Sequence, residues 1–327
     1  MATTTTVTPT DLSRVADLNA DQLEQLLDLA ARMKEHPDRW REALGGETLA
    51  MLFEKPSTRT RVSFEAAAHR LGMLPLALRP DEPQLGRGEP IDDTGRVLSA
   101  YVAAIVIRTF SQRTVEELAA AASVPVVNAR TDEHDPCQAL SDLLTLRERF
   151  GRLEGLKIAY VGDGNNMANS LIEAGALAGL EVVVASPPGF EPNLSGVEVT
   201  TAPGGAVAGA HAVYTDVWVS MGDDARPKWT RIGPPDGFTE IWTRHGSEGE
   251  GERRRQALAG YQVNAGLMAL ARPEAVFLHC LPAHRGEEVT AEVIDGPQSV
   301  VWQQAANRLP TAQAARYALI AGEWEDA

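Results

Sequence analysis

Short, unbroken apolar runs alternate with helical patterns along this chain, and that rhythm leaves few folds open to it. Leu49 to Phe53, Ala103 to Ile107 and Val124 to Val127 are apolar at every position. A strand with one face in water alternates polar with apolar residues, whereas a strand apolar throughout is covered on both faces. Ahead of these runs, Asp21 to Met33 carries apolar residues at helical spacing behind Asn19 or Asp21 as N-caps. Val62 to Leu71 reads as a helix ending at Gly72, and Gln138 to Phe150 as another. After Phe150 the rhythm restarts. Leu156 to Val161 runs into a turn, Gly162 to Asn166, and a helix through Leu180; Glu181 to Ala185, His211 to Thr215 and Val276 to Leu278 supply further strands. The expectation is an α/β protein of two domains, each a mostly parallel sheet flanked by helices. The boundary falls near residues 148–152, giving units 1–150 and 151–327. With 327 residues, 44% of them hydrophobic, both units can bury a core.

A net charge of −15 argues against nucleic acid or an anionic membrane as partner, so any anion site must be built locally from clustered arginines. The two cysteines, Cys137 and Cys280, are far apart and lack metal-ligand spacing, which predicts no disulfide, no bound metal and a reducing cytoplasm. Neither a signal peptide nor a membrane span is expected, since no apolar run reaches the roughly 18 residues a span needs.

Several segments carry chemistry. Ser57, Thr58, Arg59, Thr60 and Arg61 lie between a strand and a helix, where unpaired first-turn N–H groups, hydroxyls and guanidiniums together make a phosphate cradle. Read alone, the same five residues are equally an ordinary capped helix with two surface arginines. Arg108 ends an apolar strand, a costly place for a charge unless an anion waits at the sheet's C-terminal edge. Gly162 to Met167 half-matches the dinucleotide fingerprint, but Met167 stands where the third glycine belongs, which argues against that cofactor. Asp216 ends a strand and can pair with an ammonium group.

Three strings are more specific than these single features: Phe53 to Arg61 (Phe-Glu-Lys-Pro-Ser-Thr-Arg-Thr-Arg), Asp216 to Gly222 (Asp-Val-Trp-Val-Ser-Met-Gly) and His279 to Pro282 (His-Cys-Leu-Pro). In that order, and over about residues 20 to 320, they resemble the ornithine carbamoyltransferase family. The resemblance implies transfer of the carbamoyl group of carbamoyl phosphate to ornithine, giving citrulline and phosphate for arginine biosynthesis, without cofactor or metal, in a cytoplasmic homotrimer. Implied carbamoyl phosphate ligands are Ser57, Thr58, Arg59, Thr60, Gln84 (from a neighbouring subunit), Arg108, Gln138, Cys280, Leu281 and Arg308. Implied ornithine ligands are Asn166, with Asn165 close behind, Asp216, Ser220 and Met221. The final helical stretch, about Thr311 to Glu325, is expected to pack back on the first domain. Arg108, Asp135, Cys280 and Arg308 occupy the catalytic places.

One position departs from the family string. Where a histidine precedes the proline and donates to the carbonyl oxygen, this chain has Asp135, with His134 one residue earlier. A carboxylate only accepts, and its charge faces a developing oxyanion. His134 could shift into the role, Asp135 could be protonated or turned away in a slower enzyme, or activity could be lost; reduced catalysis is the expectation. Residues 223–255, rich in Pro, Gly and Trp, exceed the family's usual length there and read as a lid or as decoration. Carbamoyl transfer to another diamino acid, and a non-catalytic ligand-binding paralogue, are the competing functions.

Overall fold

The computed structural model describes residues 10–55, 57–78, 89–219, 227–232, 239–244 and 249–324. The first unit runs α1 (Ala20–Glu35), β1 (Thr48–Phe53), α2 (Thr58–Arg70), β2 (Leu74–Leu78), α3 (Ile91–Ser99), β3 (Ala104–Arg108), α4 (Gln112–Ala121), β4 (Val126–Arg130) and α5 (Pro136–Phe150). Its four strands form a parallel sheet in the order β2-β1-β3-β4. The second unit has β5 (Lys157–Val161), α6 (Asn166–Ala178), β6 (Glu181–Ala185), β7 (Glu198–Thr200), α7 (Pro203–Val207) and β8 (Ala212–Thr215). It continues through β9 (Pro227–Ile232), β10 (Thr239–Arg244), α8 (Glu250–Leu258), α9 (Ala265–Met268), β11 (Val276–His279), α10 (Ala291–Ile294) and α11 (Val301–Ala321). Five of its strands form a second parallel sheet, β11-β8-β5-β6-β7. The fully apolar strands are buried, as their composition requires: every residue of β3 and β8 is covered.

In each sheet the chain moves outward from a central strand in one direction and later returns to its other side. Such switch points, between β1 and β3 and between β5 and β8, open crevices at the carboxyl ends of the strands. One apolar core joins the two sheets, running from Leu26 and Leu29 of α1 through Leu143 of α5 and Leu171 of α6 to Ala315 of α11. α11 starts ten residues before the expected Thr311 and packs on α1, α2 and α5, so the chain does return to the first unit. α2 begins at Thr58 rather than Val62, because Ser57 Oγ accepts from Thr60 N–H (3.3 Å) and caps the helix early. The stretch 223–255, read as irregular, contains an antiparallel ribbon of β9 and β10 pairing Ile232 with Thr239 and Pro227 with Arg244. Among the described residues no helix is long and apolar enough to cross a membrane.

Candidate active site

The first turn of α2, at the end of β1, presents its N–H groups and the Thr60 hydroxyl toward the crevice. Two guanidiniums from distant parts of the chain meet there. Arg108, last residue of β3, donates from Nη1 to Thr60 Oγ1 (3.3 Å), and Arg308, in the third turn of α11, donates from Nη2 to the same oxygen (3.4 Å). Both side chains are buried. Burial, with Arg130, Arg308 and Arg59 close by, pushes Arg108 down to about 10. Arg59 is likewise lowered, by burial and by Arg308, despite favourable fields from Cys280 and Asp216. Several cations held this close in a partly desolvated crevice call for an anion.

Behind them stands a buried polar chain. Arg308 Nη1 makes a short hydrogen bond to Gln138 Oε1, which fixes the Gln138 amide. Gln138 Nε2 and Gln304 Nε2 both donate to Asp142 Oδ1, each at 2.7 Å, and Gln304 Oε1 accepts from the His279 backbone N–H (2.9 Å). The cradle of the first sheet is therefore tied to the end of β11 in the second. Burial raises the Asp142 carboxyl to about 7 even against these hydrogen bonds.

On the other side of the crevice, Asp216 follows β8. Its Oδ1 accepts from the Cys280 thiol (2.9 Å) and from Val217 N–H (2.8 Å), and its Oδ2 from Asn165 Nδ2 (2.8 Å). Burial opposes the Asp216 charge, yet His279, Arg130 and these donors hold its carboxyl below the usual range. The Cys280 thiol is pushed well up, first by burial and then by Asp216, so at neutral pH it is a donor rather than a thiolate nucleophile. Leu281 N–H donates to His279 Nδ1 (2.8 Å), leaving Nε2 to donate to Glu288 Oε1 (3.3 Å); this pair fixes the loop after β11. Asn165 caps α6, its Oδ1 accepting from Met167 N–H (2.9 Å). Asn166 is buried, and its Nδ2 has no partner among the described residues, a donor available to a ligand. Gly164 is obligatory: a Cβ there would stand 2.2 Å from Pro192 N.

Ser57, Thr58, Arg59, Thr60, Arg108, Asp135, Gln138, Asn166, Asp216, Cys280, Leu281 and Arg308 thus sit on strand ends and helix starts around the facing crevices. Gln84, Ser220 and Met221 lie outside the described residues. His134 does not take over the donor role: its Nδ1 faces Glu173 of α6 at 3.7 Å, and burial and Arg14 lower its pKa. Asp135 is neither turned out nor idle. Its Oδ1 accepts from Gln138 N–H (3.1 Å) as the N-cap of α5, and its N–H donates to Ser170 Oγ (2.8 Å). Sequence reading missed Asp142 and Gln304, which carry no local signal, and Arg130, which ends β4 but is separated from the apolar run Val124 to Val127 by Asn128 and Ala129. The ligand atoms of Asp216, His279 and Cys280 lie within 4.8 Å of one another, but each is already engaged in the bonds above, and a metal would have to break them.

Two parallel-sheet domains facing each other across a cation-lined crevice, with a capped helix start on one side and an Asp–Cys–Asn set on the other, define an α/β enzyme of the two-substrate transferase kind. Residues 10–148 match the domain described as aspartate/ornithine carbamoyltransferase, carbamoyl-P binding, and residues 154–234 and 238–319 the corresponding Asp/Orn binding domain. An ornithine carbamoyltransferase of Symbiobacterium thermophilum is 50% identical over 323 residues, covering 93% of this chain and 96% of its own. One of Acidothermus cellulolyticus is 51% identical over 300 residues, covering 91% and 92%. Among solved structures, the ornithine carbamoyltransferase of Pyrococcus furiosus superposes with a TM-score of 0.84 at 44% identity, covering 95% of this chain and 97% of that one. The Thermus thermophilus enzyme gives 0.82 at 44%, covering 96% and 100%. The chain belongs to the aspartate/ornithine carbamoyltransferase family.

Proposed function

We propose that the protein is an ornithine carbamoyltransferase, converting carbamoyl phosphate and L-ornithine to L-citrulline and phosphate in arginine biosynthesis. The observation that carries this reading is the meeting of Arg108 and Arg308, from a strand end and a late helix, on the Thr60 hydroxyl at the start of α2. A doubly charged phosphate placed there meets guanidiniums, a hydroxyl and helix N–H groups at once.

In this reading Ser57, Thr58, Arg59, Thr60, Arg108 and Arg308 hold the phosphate, and Gln138, pinned by Asp142, leaves its amide facing the carbamoyl end. Asn166 and Asp216 hold the α-amino-acid end of ornithine, with Ser220 and Met221 closing over it. Cys280 and the Leu281 carbonyl contact the reacting groups. The neutral δ-nitrogen attacks the carbonyl carbon, and the π-electron pair moves onto oxygen. That attack forms the N–C bond; collapse then returns the pair from oxygen to restore C=O and breaks the C–O bond to phosphate, which leaves with its electron pair, while the nitrogen's proton passes to phosphate or water. Proximity and fixed positive charge account for most of such a rate. Only deprotonated amine attacks, so turnover should climb toward alkaline pH.

A homotrimer in the cytoplasm completes the proposal. The free thiols fit a reducing compartment, and Val62 on α2 with Leu74 and Leu76 on the edge strand β2 leave an exposed apolar surface on the first domain. The direct test is citrulline formation from carbamoyl phosphate against a panel of ornithine, lysine, 2,4-diaminobutyrate, putrescine and aspartate. Preference for ornithine is expected; silence with every amine rejects the enzyme, and a better rival rejects ornithine. Sedimentation at about three times 35.2 kDa checks the trimer.

A further inference from the structure

Asp135 poses an electrostatic problem that its neighbours resolve. It is buried beside the arginine cluster, where a carbonyl becoming an oxyanion would be repelled by a carboxylate and receive no hydrogen bond from it. Arg130 stands at the same spot. It is the last residue of β4 and pairs across the sheet with Arg108, following a register shift at Ile107/Arg108. Its φ of 154° is one that side chains rarely adopt, held by Arg130 N–H donating to Asn128 Oδ1 (2.8 Å) and by Thr109 N–H donating to Arg130 O (3.2 Å). Unusual backbone of this kind redirects a side chain where a site requires it. The guanidinium lies in the joint field of Asp216 from the second sheet and of Asp135 and Asp132 from the first, and it acts on Arg108 and Arg59 in turn. Carboxylates from both sheets thus act on Arg130, beside Arg108 of the phosphate cradle.

The charges balance. Arg59, Arg108, Arg130 and Arg308 against Asp135 and Asp216 leave a surplus of two positive charges, the complement of a phosphate dianion. A neutral imidazole at 135 with an uncharged residue at 130 would leave the same surplus. Resting on the carbamoyltransferase reading above, we propose that Arg130 is a catalytic residue that donates to the carbonyl oxygen of the carbamoyl group, with Asp135 as its fixed counter-charge. When the amine attacks, the electron pair arriving on oxygen meets a permanent cation, and no proton need move to or from Arg130. Asp135 is a positioning residue, its carboxylate held by Gln138 N–H (3.1 Å) and acting on this guanidinium through its charge.

The experiment begins with citrulline formation by the unaltered protein, whose absence would sink the carbamoyltransferase reading and not this assignment alone. Given activity, Arg130→Met should lower kcat by about 100-fold or more, as loss of an oxyanion donor does. The KM for carbamoyl phosphate and inhibition by inorganic phosphate should stay within about fivefold, because the cradle is intact. Arg130→Met with Asp135→His should regain at least tenfold over the single variant, and its kcat should gain an inflection near pH 6.5 that the parent lacks. Asp135→His alone removes the counter-charge of Arg130 and the carboxylate that caps α5, so its kcat should fall rather than rise. An unchanged kcat in Arg130→Met overturns the assignment. So does a rise of 30-fold or more in Asp135→His, which would mean the donor's place is vacant; this second variant decides the matter if Arg130→Met does not fold.

Discussion

Asp142 is a carboxyl placed where water cannot reach it, and what surrounds it decides how the site responds to pH. Gln138 and Gln304 both donate to one oxygen, while the other, Oδ2, has no partner among the described residues. Burial dominates, and the carboxyl is raised from 3.8 to about 7. The native state therefore holds the Asp142 proton more tightly than the unfolded chain does. The stability this group contributes is fully present below pH 4 and is lost as pH rises through 7. Asp142→Asn keeps an oxygen for both amides and cannot ionise. Urea denaturation should show the variant gaining on the parent between pH 5 and pH 8, by on the order of 1 to 3 kcal/mol. A gap equal at both pH values would mean that burial does not set the Asp142 carboxyl apart from that of the unfolded chain over this range. Nothing in the sequence around Asp142 hints at this; it reads as one more polar residue of an amphipathic helix. Arg108 and Asp216 were legible because a charge at the end of an apolar strand is costly without a purpose. Arg130 was less legible because Asn128 interrupts the apolar run of β4 before it.

Among the elements, α11 shows best where pattern reasoning ends. It was expected from Thr311, and its first three turns were missed because Pro310 breaks the rule for helix interiors. Those turns carry Gln304 and Arg308 to the crevice, so a link between the two sheets begins in the least legible part of the helix. β2 and the hairpin of β9 and β10 were missed for a different reason. β2 alternates exposed with half-covered residues instead of forming an apolar run, and β9 (Pro-Lys-Trp-Thr-Arg-Ile) and β10 (Thr-Glu-Ile-Trp-Thr-Arg) intersperse charged residues without a clean alternation. Further along α11, Arg316 is almost fully buried against α2, its guanidinium 4.1 Å from the Phe64 ring centroid and its Nη1 donating to Ala312 O (2.7 Å). Nε and Nη2 have no partner among the described residues, and burial lowers the group to about 10. A buried cation without a carboxylate costs more than the ring returns. Arg316→Met fills similar space without the charge and should raise the stability of the fold by about 1 kcal/mol, read as a higher urea midpoint at unchanged slope. A loss of stability would show that the guanidinium has a further partner.

For the molecule as a whole, the sign of the charge changes with distance. At long range a substrate dianion meets a body of net charge −15; within the crevice it meets Arg59, Arg108, Arg130 and Arg308. Salt acts on these two fields unequally. At about 0.15 M the Debye length is roughly 8 Å, short enough to screen the surface, while contacts made inside a desolvated crevice are screened far less. An enzyme that steers its anion by surface charge loses kcat/KM steeply as salt rises. Here repulsion is what salt removes first. Raising sodium chloride from about 10 to about 150 mM should therefore leave kcat/KM for carbamoyl phosphate unchanged or increase it up to about threefold, once chloride competition is corrected with an inhibition series. A severalfold fall after that correction would mean that positive surface outside the crevice guides the substrate in. The acidic body and the cationic crevice would then be working in one direction, and the picture of a locally built anion site in a repelling molecule would have to be given up.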